Sequence, residues 1–285
     1  MPDRERGIRS MWFSLLPWGV FKRMVKGVLR PWRLVGMELR NKLHGWPRAV
    51  RLRRFEGREV RRLSAVTPTP PRARVAVIIP TFKRPELLLG AVRSALAQTV
   101  KDIVVVVVDD GGGLPELPAD PRLFPCSLSA NTRVGGVARN VGIKLTRSEY
   151  VAFLDDDNEW EPHHLEVALG AFAEEGPGRA PDFVYTAMQR RFPDGRTHDV
   201  LSVEFDRRLL ASRNFVDTNA MVIRRFPGLH WSRLRRRQKM GPACDWELTY
   251  RLSRKMVVQH VSVPTVRYRL NPDSYFNDWA GSGVL

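Results

Sequence analysis

Residues 103–113 read IVVVVVDDGGG, and this stretch decides the fold. Six consecutive β-branched residues without a polar break suit a strand buried on both faces of a parallel sheet. Asp109 and Asp110 stand at its carboxyl end, and three glycines follow as loop. Upstream, Val75 to Ile79 is a second such run, ended by Pro80. Between the two, Glu86 to Ala97 carries Leu87, Leu88, Ala91, Val92, Ala95 and Leu96 on a helical stripe. Downstream, Val134 to Leu145 reads as a helix, Tyr150 to Leu154 as a strand, and Pro162 to Phe172 as a helix. Strands and helices alternating at this spacing imply right-handed βαβ units and a mainly parallel sheet flanked by helices.

Open sheets of this kind bind ligands at the carboxyl ends of their strands. Those ends supply Pro80-Thr81-Phe82, Asp109-Asp110 and Asp155-Asp156-Asp157-Asn158. Two acidic clusters meeting in one crevice are costly unless a cation or hydrogen-bond donors compensate them. The aspartate turn offers hard oxygen ligands of the kind Mg²⁺ or Mn²⁺ accepts. Read alone it is equally a surface loop or a helix cap. It lacks the glycine and distal glutamate of an EF-hand. The chain has no Gly-rich loop ending in Gly-Lys-Ser/Thr and no Gly-x-Gly-x-x-Gly opening a helix, which argues against ATP-hydrolysing and nicotinamide enzymes.

The second half is less regular. Strands are expected at Phe183–Ala187, Val200–Phe205 and Phe215–Arg225, and a helix from Cys244 to about Arg254. His163, His164 and His230 have no convergent partner in sequence, so no zinc site is expected. Two cysteines, Cys126 and Cys244, are too few for a disulfide scaffold and fit a reducing compartment.

The 285 residues are 43% hydrophobic and 27% charged, an ordinary globular composition. Net charge is +17, unevenly spread: residues 1–72 hold 18 basic and 5 acidic side chains, leaving 29 and 25 for the rest. Phe21, Met24, Val25, Val28, Trp32, Val35, Leu39, Leu43 and Trp46 recur at steps of three and four among lysines and arginines. Two short helices meeting at Pro31 are expected. Such a basic amphipathic stretch with aromatics suits the headgroup layer of an anionic membrane. Packing on the rest of the chain, oligomerisation and non-specific nucleic-acid binding are the alternatives. No apolar run reaches the roughly 20 residues of a spanning helix. Met11–Phe21 holds Pro17 and lacks a small-residue cleavage pattern, so no cleaved signal is expected. The expected organisation is a helical extension over 1–63, a Pro-rich linker over 64–72, and a domain over 73–285. That domain divides into a nucleotide half, 73–165, and an acceptor half, 166–285.

The segments VAVIIPTFKRPELLLGAVRSALAQT, VVVVDDGG and GGVARNVGIKLTRSEYVAFLDDDNEWEPHHL together resemble the family-2 glycosyltransferases of GT-A fold. The resemblance implies a metal-dependent, inverting transfer of a sugar from a UDP- or dTDP-sugar to a hydroxyl of a glycan, lipid-linked or small-molecule acceptor. It implies that Pro80, Thr81, Phe82 and Arg84 line the nucleotide site, with Phe82 on the base. Asp110 would hold the base, Asp109 its loop, and Arg139 and Asn140 would close the pocket. Asp157 and Asp155 would serve Mg²⁺ or Mn²⁺, and Asp156 would lie near the ribose. Cys244-Asp245-Trp246-Glu247 resembles the family's acidic-pair motif, with Cys244 replacing the first acid and Asp245 on the catalytic-base position. Asp217, Asn219, Trp246, Glu247 and Arg269 are expected on the acceptor or diphosphate side. The basic run Arg233–Lys239 would clamp diphosphate or lipid phosphate, or be a solvated loop. In Tyr268-Arg269-Leu270-Asn271 the family more usually has histidine at position 271.

The N-terminal arm would hold such an enzyme on the cytoplasmic face of the membrane, where lipid-linked acceptors are found, and the resemblance suggests glycan, cell-envelope or natural-product assembly. A degenerate nucleotide-binding module is one alternative. A sugar-phosphate nucleotidyltransferase is another, but PTFKRPE is no glycine-rich phosphate loop. No specific nucleic acid is expected.

Overall fold

A computed structural model describes residues 39, 43, 45–174, 178–234 and 244–270. The expected helices meeting at Pro31, most of the basic run 233–239, and Asn271 lie outside the described residues.

The nucleotide half is built as its sequence demands. Strands β1 (Val75–Thr81), β2 (Ile103–Asp109), β3 (Leu123–Ser127) and β4 (Tyr150–Phe153) lie in the order β3-β2-β1-β4, all parallel. Every residue of β2 is buried, which explains why none is polar until Asp109. Helices α2 (Pro85–Leu96) and α3 (Gly135–Leu145) cross between strands and bury Leu88, Ala91 and Val92, and Val137, Ala138 and Val141. Register pairs Thr81 with Asp109, so the polar residues that follow β1 and β2 emerge side by side.

Beyond β4 the sheet changes direction. Strand β8 (Met221–Arg224) pairs antiparallel with β4, and β6 (Phe183–Arg191) antiparallel with β8. Strand β9 (Val258–Arg269) runs parallel to β6 through two register shifts and receives the two-residue β5 (Glu159–Trp160) at its far edge. Strand β7 (Thr197–Leu201) forms a hairpin with β6. The nine-stranded sheet is therefore parallel through its nucleotide half and mixed beyond it. Helix α4 (His164–Ala173) packs on β6 and β9, and α5 (Arg207–Ser212) against α6 (Cys244–Leu252).

Several elements differ from expectation. The run 215–225 yields only the four residues of β8, because Asp217 caps a 3-10 turn over Thr218–Ala220 by accepting from Asn219 N–H. The strand expected at Val200–Phe205 is β7, three residues earlier; its burial pattern is half-exposed throughout, so apolar content misplaced it. Strands β3, β5 and β9 and helix α5 were not expected. All of β9 except Thr265 and Val266 is partly or fully exposed and β3 contains Pro125, so neither carries a clean apolar period. His164 lies in the core, stacked on Trp160 with Nδ1 2.7 Å from Thr265 Oγ1, and burial pushes it down to about 3.

The boundaries expected at 63 and 64 fall within helix. Helix α1, over residues 45–66, runs past Ser64 and packs on the sheet domain through fully buried Glu56, nearly buried Glu59 and Leu63. Arg51, Arg53, Arg54, Arg58 and Arg61 stay exposed along it. Leu39, Leu43 and Trp46 are 57%, 68% and 67% exposed. No helix among the described residues is long and apolar enough to cross a membrane.

Candidate active site

The ends of β1, β2 and β4 and the start of α3 enclose a cleft of about 880 Å³. Pro80, Thr81, Phe82, Arg84, Asp110, Arg139 and all three of Asp155, Asp156 and Asp157 line it. Nine of the residues expected at a nucleotide or metal thus share one cavity.

The first wall is the β2 end. Asp109 is fully buried, and its two carboxylate oxygens accept from Gly112 N–H at 2.8 Å and Gly113 N–H at 2.9 Å. It builds the loop rather than the lining. Gly111 turns there with φ +77°, where an added Cβ would lie 2.8 Å from Asn131 N. Asp110 accepts from Thr132 N–H at 3.0 Å, Thr132 Oγ1 at 2.9 Å and Arg133 N–H at 3.1 Å. Burial still raises its pKa above the ordinary carboxylate range. Two non-glycine residues on this rim, Lys83 and Arg133, sit at φ +56°. Such left-handed backbone costs of order 1–3 kcal/mol and gathers at functional sites.

The second wall is the aspartate turn, in which Asp155 takes one arginine while Asp156 and Asp157 share another. Asp155 pairs with Arg139, and its N–H donates to Asn219 Oδ1 at 2.6 Å. Asp156 accepts from Thr81 Oγ1 at 2.7 Å and Arg84 at 3.1 Å. Asp157 accepts from Arg84 at 2.8 Å and Asn158 Nδ2 at 2.9 Å. Burial, then the neighbouring Asp155 and Asp156, push Asp157 up to about 6. Arg84 is the one cation bonded to both Asp156 and Asp157 among the described residues.

Behind Asp155 lie two further acids. Asp217 accepts from Asn219 N–H at 2.8 Å and Asn219 Nδ2 at 2.7 Å. Burial and the charges of Asp245 and Asp155 raise it to about 7. Asp245, in the first turn of α6, is held by Trp246 N–H at 2.8 Å and Asn214 Nδ2 at 2.9 Å, and burial raises it to about 6. The Tyr268 phenol is pushed up by burial and then by Asp217, Asp157, Asp155 and Asp245. Asn214, Thr132 and Tyr268 were not singled out by sequence. Tyr268 belongs to a segment quoted from the sequence but was given no role there, and only the fold brings the three to these carboxylates.

Four expected site residues are used elsewhere. Asn140 does not line the cleft: its Nδ2 donates to Glu56 and Trp231 O, and its Oδ1 accepts from Trp231 N–H at 2.7 Å. It follows Arg139 by one position, which turns it to another face of the helix. Trp246 Nε1 donates to Leu210 O at 2.6 Å, and Glu247 accepts from Arg251 at 2.8 Å. The Arg269 side chain is exposed beside a second recess of about 260 Å³ that meets the first at Asp157, and its N–H donates to Asn158 Oδ1 at 2.9 Å.

No group of three His, Cys, Asp or Glu side chains among the described residues could enclose a cation. The donor set fits a more open site. Mg²⁺ keeps waters and takes one or two carboxylates together with substrate phosphates. Asp157 supplies one such carboxylate, and its pKa is raised first by burial and then by negative neighbours whose charge a cation would offset.

This cleft belongs to a known class. A family model described as glycosyl transferase family 2 matches residues 76–227, over half of the chain. The chain belongs to that family. A relative from Nostoc sp., described as the uncharacterized glycosyltransferase alr2836, is 37% identical over 108 residues, 35% of this chain and 33% of that protein. The poly(ribitol-phosphate) beta-N-acetylglucosaminyltransferase TarP of Staphylococcus aureus is 31% identical over 127 residues, 38% of this chain and 39% of that protein. The match thus spans only about a third of these relatives' length (33% and 39%). Among solved structures, S. aureus TarS 1–349 in complex with UDP-GlcNAc aligns with a TM-score of 0.53 at 17% identity, covering 74% of this chain and 62% of that one. The fold is that of the GT-A glycosyltransferases.

Proposed function

We propose that the chain is an inverting glycosyltransferase that takes a sugar from a nucleoside diphosphate sugar, UDP- or dTDP-linked, to an acceptor hydroxyl. One observation carries this reading: Asp110, Asp156 and Asp157 line a single cleft while a buried carboxyl, Asp245, is raised to about 6 behind it. Phe82, 39% exposed on the rim, offers a flat face to a base, and Asp110 is an acceptor for a base N–H. Arg139 and Arg84 place positive charge beside the position of a diphosphate. A carboxyl near 6 is mostly ionised at neutral pH yet basic enough to take a proton. Asp245 takes the acceptor hydroxyl's proton as that oxygen bonds to the anomeric carbon, and the bond to the diphosphate oxygen breaks on the opposite face. Asp157, with Asp155 nearby, would hold Mg²⁺ or Mn²⁺. That ion would supply Lewis-acid neutralisation of the leaving diphosphate.

The relatives' names favour glycan acceptors of the cell envelope; one relative, 31% identical over 102 residues, is described as the putative colanic acid biosynthesis glycosyl transferase WcaA of Escherichia coli. The basic N-terminal segment, with Leu39, Leu43 and Trp46 exposed, would hold the enzyme on an anionic cytoplasmic membrane face.

The test is thermal stabilisation of the full chain by UDP, dTDP and other nucleoside diphosphates, with and without Mn²⁺. A ligand that binds only the folded state raises Tm by mass action. Stabilisation by one nucleotide that needs Mn²⁺, is lost in Asp157→Ala and is kept in Asp245→Ala is expected. No shift with any nucleotide would overturn the reading in favour of a degenerate scaffold.

A further inference from the structure

Helix α1 lies outside the family match, which begins at residue 76. Yet it carries a fully buried carboxylate, Glu56. Burying a charge is expensive unless it is paired and hydrogen-bonded on all sides. Glu56 meets that requirement with three partners from two other parts of the chain. Arg233 donates to both its oxygens, at 2.8 and 2.7 Å. Asn140 and Lys144, both on α3, donate at 2.8 and 2.7 Å. One side chain of α1 therefore binds α3 to the segment 231–234.

That junction sits directly behind the cleft. Asn140 Oδ1 holds Trp231 N–H at 2.7 Å. Trp231 is fully buried, with its ring 4.6 Å from the guanidinium of Arg139. Arg139 in turn pairs with Asp155. The approach of α3 to 231–234 is so close that a Cβ on Gly136 would lie 2.5 Å from Ser232 O. Helix α1 also braces the opposite wall. Glu59 accepts from Ser129 N–H and Oγ at 2.9 and 2.8 Å, and Arg48 donates to Thr132 O at 3.1 Å. Thr132 is the residue whose N–H and hydroxyl hold Asp110.

We infer that α1 is a working part of the nucleotide site and that Glu56 is its positioning residue, fixing Arg139 and Trp231 through Asn140 and Arg233. A buried ion network of this kind contributes placement more than net stability. The inference rests on the cleft's taking a nucleoside diphosphate. It makes nucleotide affinity depend on a helix that follows the basic N-terminal segment in the sequence.

The experiment compares Glu56→Gln with Leu169→Ala, which opens a cavity under α4, in the full chain. Amide hydrogen exchange is read without ligand, and UDP and dTDP affinity by calorimetry. Glu56→Gln is expected to speed exchange across residues 135–140 and 229–234 and to weaken nucleotide binding about tenfold. Leu169→Ala at a similar loss of Tm should do neither. If the glutamine variant does not fold, Arg233→Lys carries the same comparison, because it keeps the charge and gives up the two-point contact. Unchanged exchange at 229–234, or equal nucleotide affinity in the two variants, would overturn the inference. Wild-type protein that ignores both nucleotides would instead fault the donor reading, because the exchange arm needs no ligand.

Discussion

Replacing Asp245 with asparagine should abolish transfer and at the same time strengthen the fold. Burial holds this carboxyl at about 6 against an ordinary 3.8. Each pH unit of displacement corresponds to about 1.4 kcal/mol, so ionised Asp245 costs the folded state about 3 kcal/mol. The fold prefers the protonated form. The cost is therefore absent below the unfolded value of 3.8, grows as pH rises toward about 6, and is complete above it. Asparagine is neutral throughout and keeps an oxygen for Trp246 N–H. Its amide would, however, oppose Asn214 Nδ2, which now donates to Asp245 at 2.9 Å; the lost bond returns about 1 kcal/mol. The net gain near neutral pH is about 2 kcal/mol, or about 4–8 °C in Tm for a chain of this size.

Calorimetric melts of both proteins at about pH 7.5 and about pH 3.5 read the difference, which in acid should turn into a deficit of about 1 kcal/mol for the variant, because only the lost Asn214 bond then remains. Transfer should fall by about 10²–10⁴ with nucleotide affinity unchanged. A variant no more stable than wild type at neutral pH would refute the reasoning. So would the same gain at both pH values, or transfer that survives.

Four other outcomes follow from the same geometry. Transfer by the wild type should decline as pH falls through about 6, where Asp245 takes up its proton; a rate flat to pH 4.5 would assign the base elsewhere. Thr132→Val removes the hydroxyl 2.9 Å from Asp110 and should cost the fold about 1 kcal/mol and weaken nucleotide binding by a similar amount, as read by calorimetric melts and titrations. Gly136→Ala sets a Cβ 2.5 Å from Ser232 O and 3.1 Å from Trp231 Cβ; it should cost about 1–3 kcal/mol and alter the near-ultraviolet tryptophan dichroism. Arg84→Met removes the cation bonded to both Asp156 and Asp157, so Mg²⁺ should raise the melting temperature more than it does in wild type. An equal response in the two proteins would argue against a cation at Asp157.

How much of this was legible in sequence depended on burial. Strands β1, β2 and β4 are buried almost throughout, so their apolar runs were unbroken and their polar ends stood out. The aspartate turn and the Asp109-Asp110 pair could be read because a strand end converts position in sequence into position in space. Strand β9 could not: its exposed stretch from Ser262 to Pro264 breaks any period, and its place beside β6 is a long-range pairing. Asn140 misled for a simpler reason. One residue along a helix turns a side chain by about 100°, so Arg139 faces the cleft while its neighbour faces Glu56. Glu56 itself read as one acid in a basic, amphipathic stretch. Nothing local distinguishes a carboxylate bound for the interior from one left in water.

Strand β9 has a consequence for anyone wishing to move this site into another protein. The family match stops at residue 227, but Asn158 is held by the N–H of Arg269 and Glu161 N–H by Thr265 O. At the other end Glu56 reaches back under Arg139's helix. A graft cut at the borders of the family match would carry the Asp109-Asp110 pair and the aspartate turn, but would leave behind Asp245 and both of the straps that hold the turn and Arg139. A transplant that kept these hydrogen bonds would have to span residues 45–269.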